Sequence, residues 1–195
     1  MTKKPDIDKA LDMVADVRAF HRQFGVVMSN VPRHPPAEIE SLRLALIREE
    51  FDELQAAVAA RDITGIADGI VDMMYVLTGM ALVYGLPLDE VWSEVHATNM
   101  AKTGGAIRDD GKILKPEGWR PPDVRGLLAR RVLERFCTPD EEGCYTAPDG
   151  RCLGSPDCPC SGRFYAVTGE ALPPETLREL ALQHLTDLGL SLPLD

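Results

Sequence analysis

The fold is decided by residues 64–84, which read TGIADGIVDMMYVLTGMALVY. Apolar residues lie on nearly every side of a helix drawn through this stretch, and its only charges are Asp68 and Asp72. A helix that is apolar all round is either buried in a core or spans a membrane. The apolar run over 73–88 is shorter than the roughly 20 residues that a membrane helix needs. We therefore expect a buried core helix that ends at Gly85.

Helical patterns lie on both sides of this segment. Helices are predicted over 7–24, 37–61, 64–84, 87–100, 124–136 and 174–188. In the second helix, apolar residues at three- and four-residue steps form one stripe: Leu44, Ile47, Phe51, Leu54 and Val58. Residues 104–123 are polar and turn-rich, which fits a loop or a short hairpin turning at 109–111. Because no segment alternates apolar and polar residues for long, the sequence predicts an all-α antiparallel helical bundle with a small Cys-rich C-terminal extension.

Composition divides the chain into two unlike parts. Of its 195 residues, 45% are hydrophobic and 27% are charged, which describes one globular domain plus some spare length. All five cysteines and ten of the fifteen prolines lie after residue 115. We therefore expect a helical bundle with its following loop over 1–123 and a Cys/Pro-rich extension over 124–195.

Net charge and the first residues argue against some binding partners and against secretion. The net charge of −10 argues against nucleic acid or an anionic membrane as the main partner, because phosphate groups are held by clustered Lys and Arg. The first eight residues contain no apolar segment typical of a secretory signal. We therefore expect the chain to stay in the cytoplasm.

The second predicted helix carries an acidic segment, REEFDEL, over residues 48–54. At about 100° per residue, Glu50 and Glu53 lie beside the apolar stripe rather than opposite it. Glu49 lies at the boundary, and Asp52 faces solvent. Such a segment alone is most often a solvated helix face, so only its position beside the core indicates a site.

Asp68 and Asp72 strengthen this indication. They lie one turn apart in the apolar helix, and no Lys or Arg occurs between residues 62 and 101. A buried carboxylate without a partner is costly, and the usual remedies are a salt bridge, protonation or a metal ion. With the two glutamates beside the stripe, four carboxylates on adjacent helices would supply hard oxygen ligands, which suit Mg²⁺ or Mn²⁺ better than zinc. The alternative is an aspartate that only bonds a neighbouring backbone group.

At these residues the sequence resembles the MazG-like all-α nucleoside triphosphate pyrophosphohydrolase superfamily, which includes phosphoribosyl-ATP pyrophosphohydrolases and dimeric dUTPases. The matching segments are EExxE over 49–53, ADxxxDxxYV over 67–76 and VWxEVHxxNMxK over 91–102. The segment DGKxLKPxGWxPPD over 110–123 is similar to the closing loop of phage and bacterial members. The motifs are short, and their order and spacing make the resemblance specific.

The resemblance implies cleavage between the α and β phosphates of a nucleoside triphosphate, which gives a monophosphate and pyrophosphate. It also implies a divalent ion, Mg²⁺ or Mn²⁺, and a homo-dimer or tetramer. The ion would be held by Glu50, Glu53, Asp68 and Asp72. Catalysis would rest on Glu50 and on Glu49, as a further ligand or as the base that orients the attacking water. Gly69 stands where the family commonly has an acid, so Asp68, one residue earlier, would take that role.

Substrate-binding residues are predicted on both sides of these carboxylates. The family pattern places the first helix near the nucleobase, where Gln23 offers an amide beside the rings of Phe20, His21 and Phe24. Phosphate or sugar oxygens would contact Asn99, Lys102 and Lys115. The alternatives are plain core residues in the first helix and ordinary solvated lysines.

The cysteines after residue 136 form a separate candidate site. Four of them could supply thiolates for a closed tetrahedral zinc ion: Cys144, Cys152, Cys158 and Cys160. The spacing contains no C-x-x-C knuckle, so free thiols or a redox pair are the alternative.

These features favour a Mg²⁺-dependent (deoxy)nucleoside triphosphate pyrophosphohydrolase. The same chemistry on phosphoribosyl-ATP is the second possibility. A third belongs to another class, a zinc-containing interaction or DNA-binding adaptor whose acidic helices are only structural. Its support is weak because seven basic and eleven acidic residues over 124–195 give a net charge of −4.

Overall fold

The computed structural model describes residues 12–137 and 174–190, which fold into six helices. The helices are α1 (Met13–Gln23), α2 (Ala37–Ala60), α3 (Ile63–Val83), α4 (Leu88–Met100), α5 (Val124–Cys137) and α6 (Pro174–Asp187). These ranges contain no strand, and an isolated antiparallel bridge joins Ile107 and Ile113. The prediction of an all-α chain is therefore confirmed for the described residues. The Cys-rich part of the extension, and residues 7–11 of the first predicted helix, lie outside them.

The described residues form two compact units. The first unit contains 12–28 and 35–83, and the second contains 29–34, 84–137 and 174–190. The first unit thus holds α1, α2 and α3.

A tight turn joins α2 to α3. Arg61 adopts a left-handed backbone with φ 54° and ends α2. Its N–H donates to the Val58 carbonyl oxygen at 3.1 Å, and the N–H of Asp62 donates to the Ala57 carbonyl oxygen at 2.9 Å. The Asp62 side chain then accepts a hydrogen bond from the Thr64 N–H at 3.0 Å, which caps the start of α3. The two helices are therefore neighbours that run in opposite directions.

Glycines on α3 show the register of this pair. A Cβ at Gly69 would lie 3.2 Å from the Leu54 Cβ, and a Cβ at Gly79 would lie 3.3 Å from a terminal nitrogen of Arg43. Because each step along α2 matches a similar step back along α3, Glu50 falls opposite Asp72. The pairing thus brings the acidic segment of α2 against the two aspartates of α3.

The prediction of a buried stripe on α2 is wrong for three of its five residues. In the single chain Leu44, Phe51 and Val58 are 42%, 48% and 55% exposed. Arg43 is the buried residue of this helix. The physical reason is that no described residue covers this side of α2, so the stripe is apolar without being enclosed.

The expectation of a buried α3 holds only for its C-terminal part. Thr78, Gly79 and residues 81–83 are buried, as is Gly69, whereas Ile70 and Val71 are largely exposed. By length and composition alone α3 could cross a membrane, as the core helices of many soluble proteins could. Asp68 and Asp72 lie within it.

The second unit has its own core, formed where α5 and α6 pack against the segment 29–34. Its buried residues are Val31, Ala129, Val132, Ala181 and Leu185. The His184 ring, on α6, is buried, and its Nε2 lies 2.8 Å from the Pro32 carbonyl oxygen. Gly85 adopts φ 67° and approaches the Val31 carbonyl so closely that a Cβ there would lie 2.0 Å from its oxygen.

The loop over 104–123 contains the predicted turn. The N–H of Arg108 donates to the Lys112 carbonyl at 2.9 Å, and Gly111 adopts φ 83°. The loop is tied to α4 because the Trp119 indole N–H donates to the Thr98 carbonyl oxygen at 2.9 Å. Of the loop or short hairpin expected here, the structure shows a loop that turns back on itself through the isolated bridge between Ile107 and Ile113.

Candidate active site

Five predicted carboxylates lie along the α2 and α3 pair: Glu49, Glu50, Glu53, Asp68 and Asp72. Glu50 and Asp72, which the register places opposite each other, are half-buried. The other three are exposed. The arrangement is an acidic surface with a partly desolvated centre.

The pKa of Glu50 responds to the charges of the other four carboxylates. Its pKa is raised first by desolvation and then, in decreasing order, by the charges of Asp72, Glu53, Glu49 and Asp68. In the described part of the chain, none of the five carboxylates takes part in a salt bridge. The site therefore concentrates negative charge that no Lys or Arg of these ranges neutralises.

The chemistry of the donor set fits a hard divalent cation. All five groups offer carboxylate oxygens, the ligands that Mg²⁺ and Mn²⁺ prefer. The raised pKa of Glu50 shows that its ionised form is disfavoured here, and a bound cation removes that penalty. As the side chains stand in residues 12–137 and 174–190, no three acidic, His or Cys groups are arranged to hold a metal ion. Metal binding at these carboxylates therefore stays a prediction.

The predicted substrate-binding residues are distributed over both units. Gln23 is exposed on the last turn of α1, in the first unit. In the second unit the Lys102 ammonium donates to the Asn99 side-chain oxygen at 2.7 Å. The Lys115 ammonium lies 4.2 Å from the centre of the Trp119 ring, a cation–π contact. The roles of these residues toward a substrate stay predictions.

The four cysteines of the zinc prediction lie outside the described residues. The structure therefore gives no geometry for that site. The zinc ion stays a prediction from the sequence.

Sequence reasoning missed one feature of the first unit, the burial of Arg43 on α2. This guanidinium is 8% exposed and lies at Gly79 beside His21, which is 2% exposed. The signal was present, because Arg43 precedes Glu50 by seven residues, or about two helical turns, and so shares its face of α2.

Residues 17–99, from within α1 to near the end of α4, match the family model of phosphoribosyl-ATP pyrophosphohydrolase. Residues 17–99, the MazG-like segment, are thus similar to the MazG-like all-α nucleoside triphosphate pyrophosphohydrolase superfamily. The matched family indicates a pyrophosphohydrolase, a hydrolase that acts on phosphoric anhydrides. The MazG-like segment contains all five carboxylates, together with Arg43 and His21.

Part of this chain is similar in sequence to a viral protein. The uncharacterized protein L479 of Acanthamoeba polyphaga mimivirus is 37% identical over 94 residues. The match covers 46% of this chain and 37% of the viral protein. The chain therefore matches little more than a third of that relative's length, and the likeness concerns a segment rather than a whole protein.

Proposed function

We propose that the chain is a divalent-metal-dependent (deoxy)nucleoside triphosphate pyrophosphohydrolase, which cleaves between the α and β phosphates. The observation that carries this proposal is the position of Glu50, half-buried among Asp72, Glu53, Glu49 and Asp68. An acidic surface binds a triphosphate only through cations, so the same observation supports dependence on Mg²⁺ or Mn²⁺.

The carboxylates have two roles in the proposed reaction, metal binding and activation of the attacking water. The ion would be held by Glu50, Glu53, Asp68 and Asp72. When bound, a divalent ion neutralises charge that develops on the phosphate oxygens. The oxygen of the attacking water forms a bond to the α-phosphorus, and the water gives up a proton as the anhydride bond breaks and pyrophosphate leaves. Glu49, exposed beside Glu50, is the carboxylate that we assign to orient that water and accept its proton.

The family match favours a second candidate substrate. The model that fits residues 17–99 describes the phosphoribosyl-ATP pyrophosphohydrolases. These enzymes perform the same anhydride cleavage on a nucleotide that carries a second ribose phosphate. The carboxylate surface serves both substrates equally, so the choice between them lies in the part of the site that contacts the nucleoside.

A nucleotide panel tests both candidates. The purified chain is incubated with ribo- and deoxyribonucleoside triphosphates and with phosphoribosyl-ATP, in Mg²⁺ and in EDTA. We expect a nucleoside monophosphate and pyrophosphate in Mg²⁺ and neither product in EDTA. A preference of about tenfold or more in kcat/KM for phosphoribosyl-ATP would select the second candidate. Turnover of none of these compounds, or release of orthophosphate, would contradict both.

We also propose that two or more copies assemble through the exposed faces of α2 and α3. The large apolar side chains on these faces are Leu44, Phe51, Val58, Ile63, Ile70, Val71 and Leu77, each at least 42% exposed. Together they present on the order of 600 Å², close to the ~800 Å² that each partner contributes to a standard interface. On α2 three of them recur every seven residues, the pattern of a helix that packs against other helices. A second copy offers the same pattern, so α2 and α3 from two chains complete a four-helix core.

The assembly is tested by placing a charge in this face. Phe51→Asp is expected to weaken the self-association constant at least about 100-fold, because the carboxylate would be desolvated in the interface. Ala45→Asp is the matched control, since Ala45 is exposed and lies about 120° around α2 from Phe51. Sedimentation velocity of the wild type and both variants measures the effect. A monomeric wild type, or equal association of Phe51→Asp and Ala45→Asp, would overturn the assembly.

A further inference from the structure

Arg43 and His21 form a buried basic pair where α1, α2 and α3 meet. Arg43 is 8% exposed, and His21 is 2% exposed. A Cβ at Gly79 would lie 3.0 Å from the His21 Nε2 and 3.3 Å from a terminal nitrogen of Arg43. Both groups therefore approach α3 at position 79, where an added side chain would crowd them.

Both members of the pair have unsatisfied polar atoms. The Arg43 Nε and the His21 Nδ1 are buried and have no hydrogen-bond partner within the described residues. Burial, followed by the charges of Arg43 and Arg18, lowers the pKa of His21 to about 4, so its imidazole is neutral at physiological pH. Burial also lowers the pKa of Arg43. A guanidinium in this position destabilises the fold unless a partner reaches it.

The missing partner must be a hydrogen-bond acceptor. All five N–H groups of a guanidinium are donors, and the group has no acceptor atom. No carboxylate of the described chain forms a salt bridge with Arg43. A carbonyl oxygen is the simplest group that satisfies the Nε–H in a space this confined.

The basic pair lies at a fixed distance from the carboxylates. Arg43 precedes Glu50 by seven residues on α2, and Gly79 follows Asp72 by seven on α3. Two helical turns correspond to about 10 Å, which is the scale of a nucleoside. A nucleotide whose phosphates lie at the carboxylates would therefore extend its base to the basic pair.

Aromatic rings occupy the space between these two points. Tyr75 lies one turn beyond Asp72 on α3, and the Phe20 ring meets it edge to face with 5.6 Å between ring centres. Phe24 continues the cluster at 4.4 Å from Phe20 and is 61% exposed. Such rings offer a partly exposed surface on which a planar base can stack.

We propose that Arg43 is a specificity-determining residue that donates a hydrogen bond to a carbonyl oxygen of the nucleobase. It selects nucleotides whose base carries such an oxygen, namely uracil, thymine, cytosine, guanine and hypoxanthine, over adenine, which has none. This inference rests on the proposed function, because the carboxylates must hold the phosphates. It names the base class that the enzyme prefers.

The sharpest test compares two purines that differ mainly at position 6, where hypoxanthine has a carbonyl and adenine an amine. Calorimetry with Mg²⁺ measures binding of the α,β-imido analogues of dITP and dATP, which the enzyme cannot cleave at that bond. We expect the wild type to prefer the dITP analogue by about 10- to 100-fold, the range for a hydrogen bond from a charged donor. In Arg43→Met this preference is expected to disappear, through weaker binding of the dITP analogue alone.

Two further measurements separate binding from a structural role. Arg43→Met is expected to unfold at the same temperature as the wild type or higher, because it replaces a buried charge with an apolar side chain of similar length. Arg61→Met, at the exposed end of α2, is the matched control and is expected to leave both affinities within about twofold.

The inference is overturned by equal binding of both analogues to the wild type, by absence of binding, or by an equal loss of both affinities in Arg43→Met. A failure of the proposed function would give a different result. Selective binding that depends on Arg43, in a wild type that releases no pyrophosphate from dITP, would overturn the hydrolase and leave the role of Arg43 standing.

Discussion

Glu50→Gln is expected to reduce Mg²⁺-dependent release of pyrophosphate by at least about 100-fold, because it removes the central ligand charge of the site. Asp72→Asn is expected to act in the same way, since Asp72 lies opposite Glu50 and has the largest effect of any charge on it. Glu38→Gln is the control, an exposed glutamate in the first turn of α2. Initial rates at saturating nucleotide measure all three. Near wild-type rates for Glu50→Gln and Asp72→Asn would show that these carboxylates do not carry the reaction.

In the absence of metal, Glu50→Gln is expected to stabilise the fold. The folded-state pKa of Glu50 is raised above its ordinary value, so the native chain holds this proton more tightly than the unfolded chain. Stability therefore falls as pH rises from the ordinary pKa through the raised one, and the ionised group is a cost at neutral pH. In EDTA at pH 7, Glu50→Gln is expected to unfold at a higher temperature than the wild type.

Added metal is expected to reverse this order. A ligand at about 100 times its Kd stabilises the native state by about 2.7 kcal/mol, so Mg²⁺ should raise the unfolding temperature of the wild type. Glu50→Gln lacks the negative charge that binds Mg²⁺, so its unfolding temperature should change little. Thermal unfolding of both proteins in EDTA and in Mg²⁺ gives the comparison. An equal response of wild type and Glu50→Gln to Mg²⁺ would argue against a metal at this site.

Gly85→Ala is expected to lower the free energy of unfolding by about 3–5 kcal/mol, the largest effect on stability that we expect from a single added methyl group. Gly85 adopts φ 67°, where a Cβ is strained. Its Cβ would also lie 2.0 Å from the Val31 carbonyl oxygen and 2.5 Å from the Val31 carbonyl carbon. Val31 is fully buried in the core of the second unit, so the backbone it contacts cannot move away cheaply.

Gly25→Ala separates the two causes of this loss. Gly25 also adopts φ 67°, but nothing lies within 4 Å of where its Cβ would be. The variant therefore keeps the backbone strain and omits the clash, and its expected cost is about 1–2 kcal/mol. Urea denaturation of the wild type and both variants measures the difference. If Gly85→Ala loses no more than Gly25→Ala, the close approach to Val31 is not a feature of the molecule in solution.

The sequence predicts the helices well because their ends depend on local chemistry. Gly25 and Gly85 end α1 and α3 at positions whose left-handed φ favours glycine. The polar turn over 109–111 likewise depends on Gly111. Such positions can be found without knowledge of the tertiary structure, because one residue type relieves the strain at each.

The candidate site could be predicted only in part. Spacing alone placed Glu50, Glu53, Asp68 and Asp72 on two neighbouring helices, because helical geometry fixes which residues share a face. The same spacing places Arg43 on the face of α2 that carries Glu50, but it does not show that Arg43 is buried, since that burial depends on Gly79 of another helix leaving room for a guanidinium.

The exposure of Phe51 also could not be predicted from the sequence. Periodicity identifies the apolar face of a helix and does not identify what covers it. The proposed assembly with a second copy of the chain would account for this difference. The prediction of an apolar stripe was thus correct about chemistry and wrong about enclosure within one chain.

The central claim is anhydride cleavage between the α and β phosphates by the wild-type chain. Phosphorus-31 NMR of a deoxyribonucleoside triphosphate incubated with the chain and Mg²⁺ follows every product at once. We expect the triphosphate signals to be replaced by those of a nucleoside monophosphate and pyrophosphate, with no change in EDTA. Appearance of a nucleoside diphosphate with orthophosphate, or an unchanged spectrum in Mg²⁺ for every nucleotide, would contradict the claim.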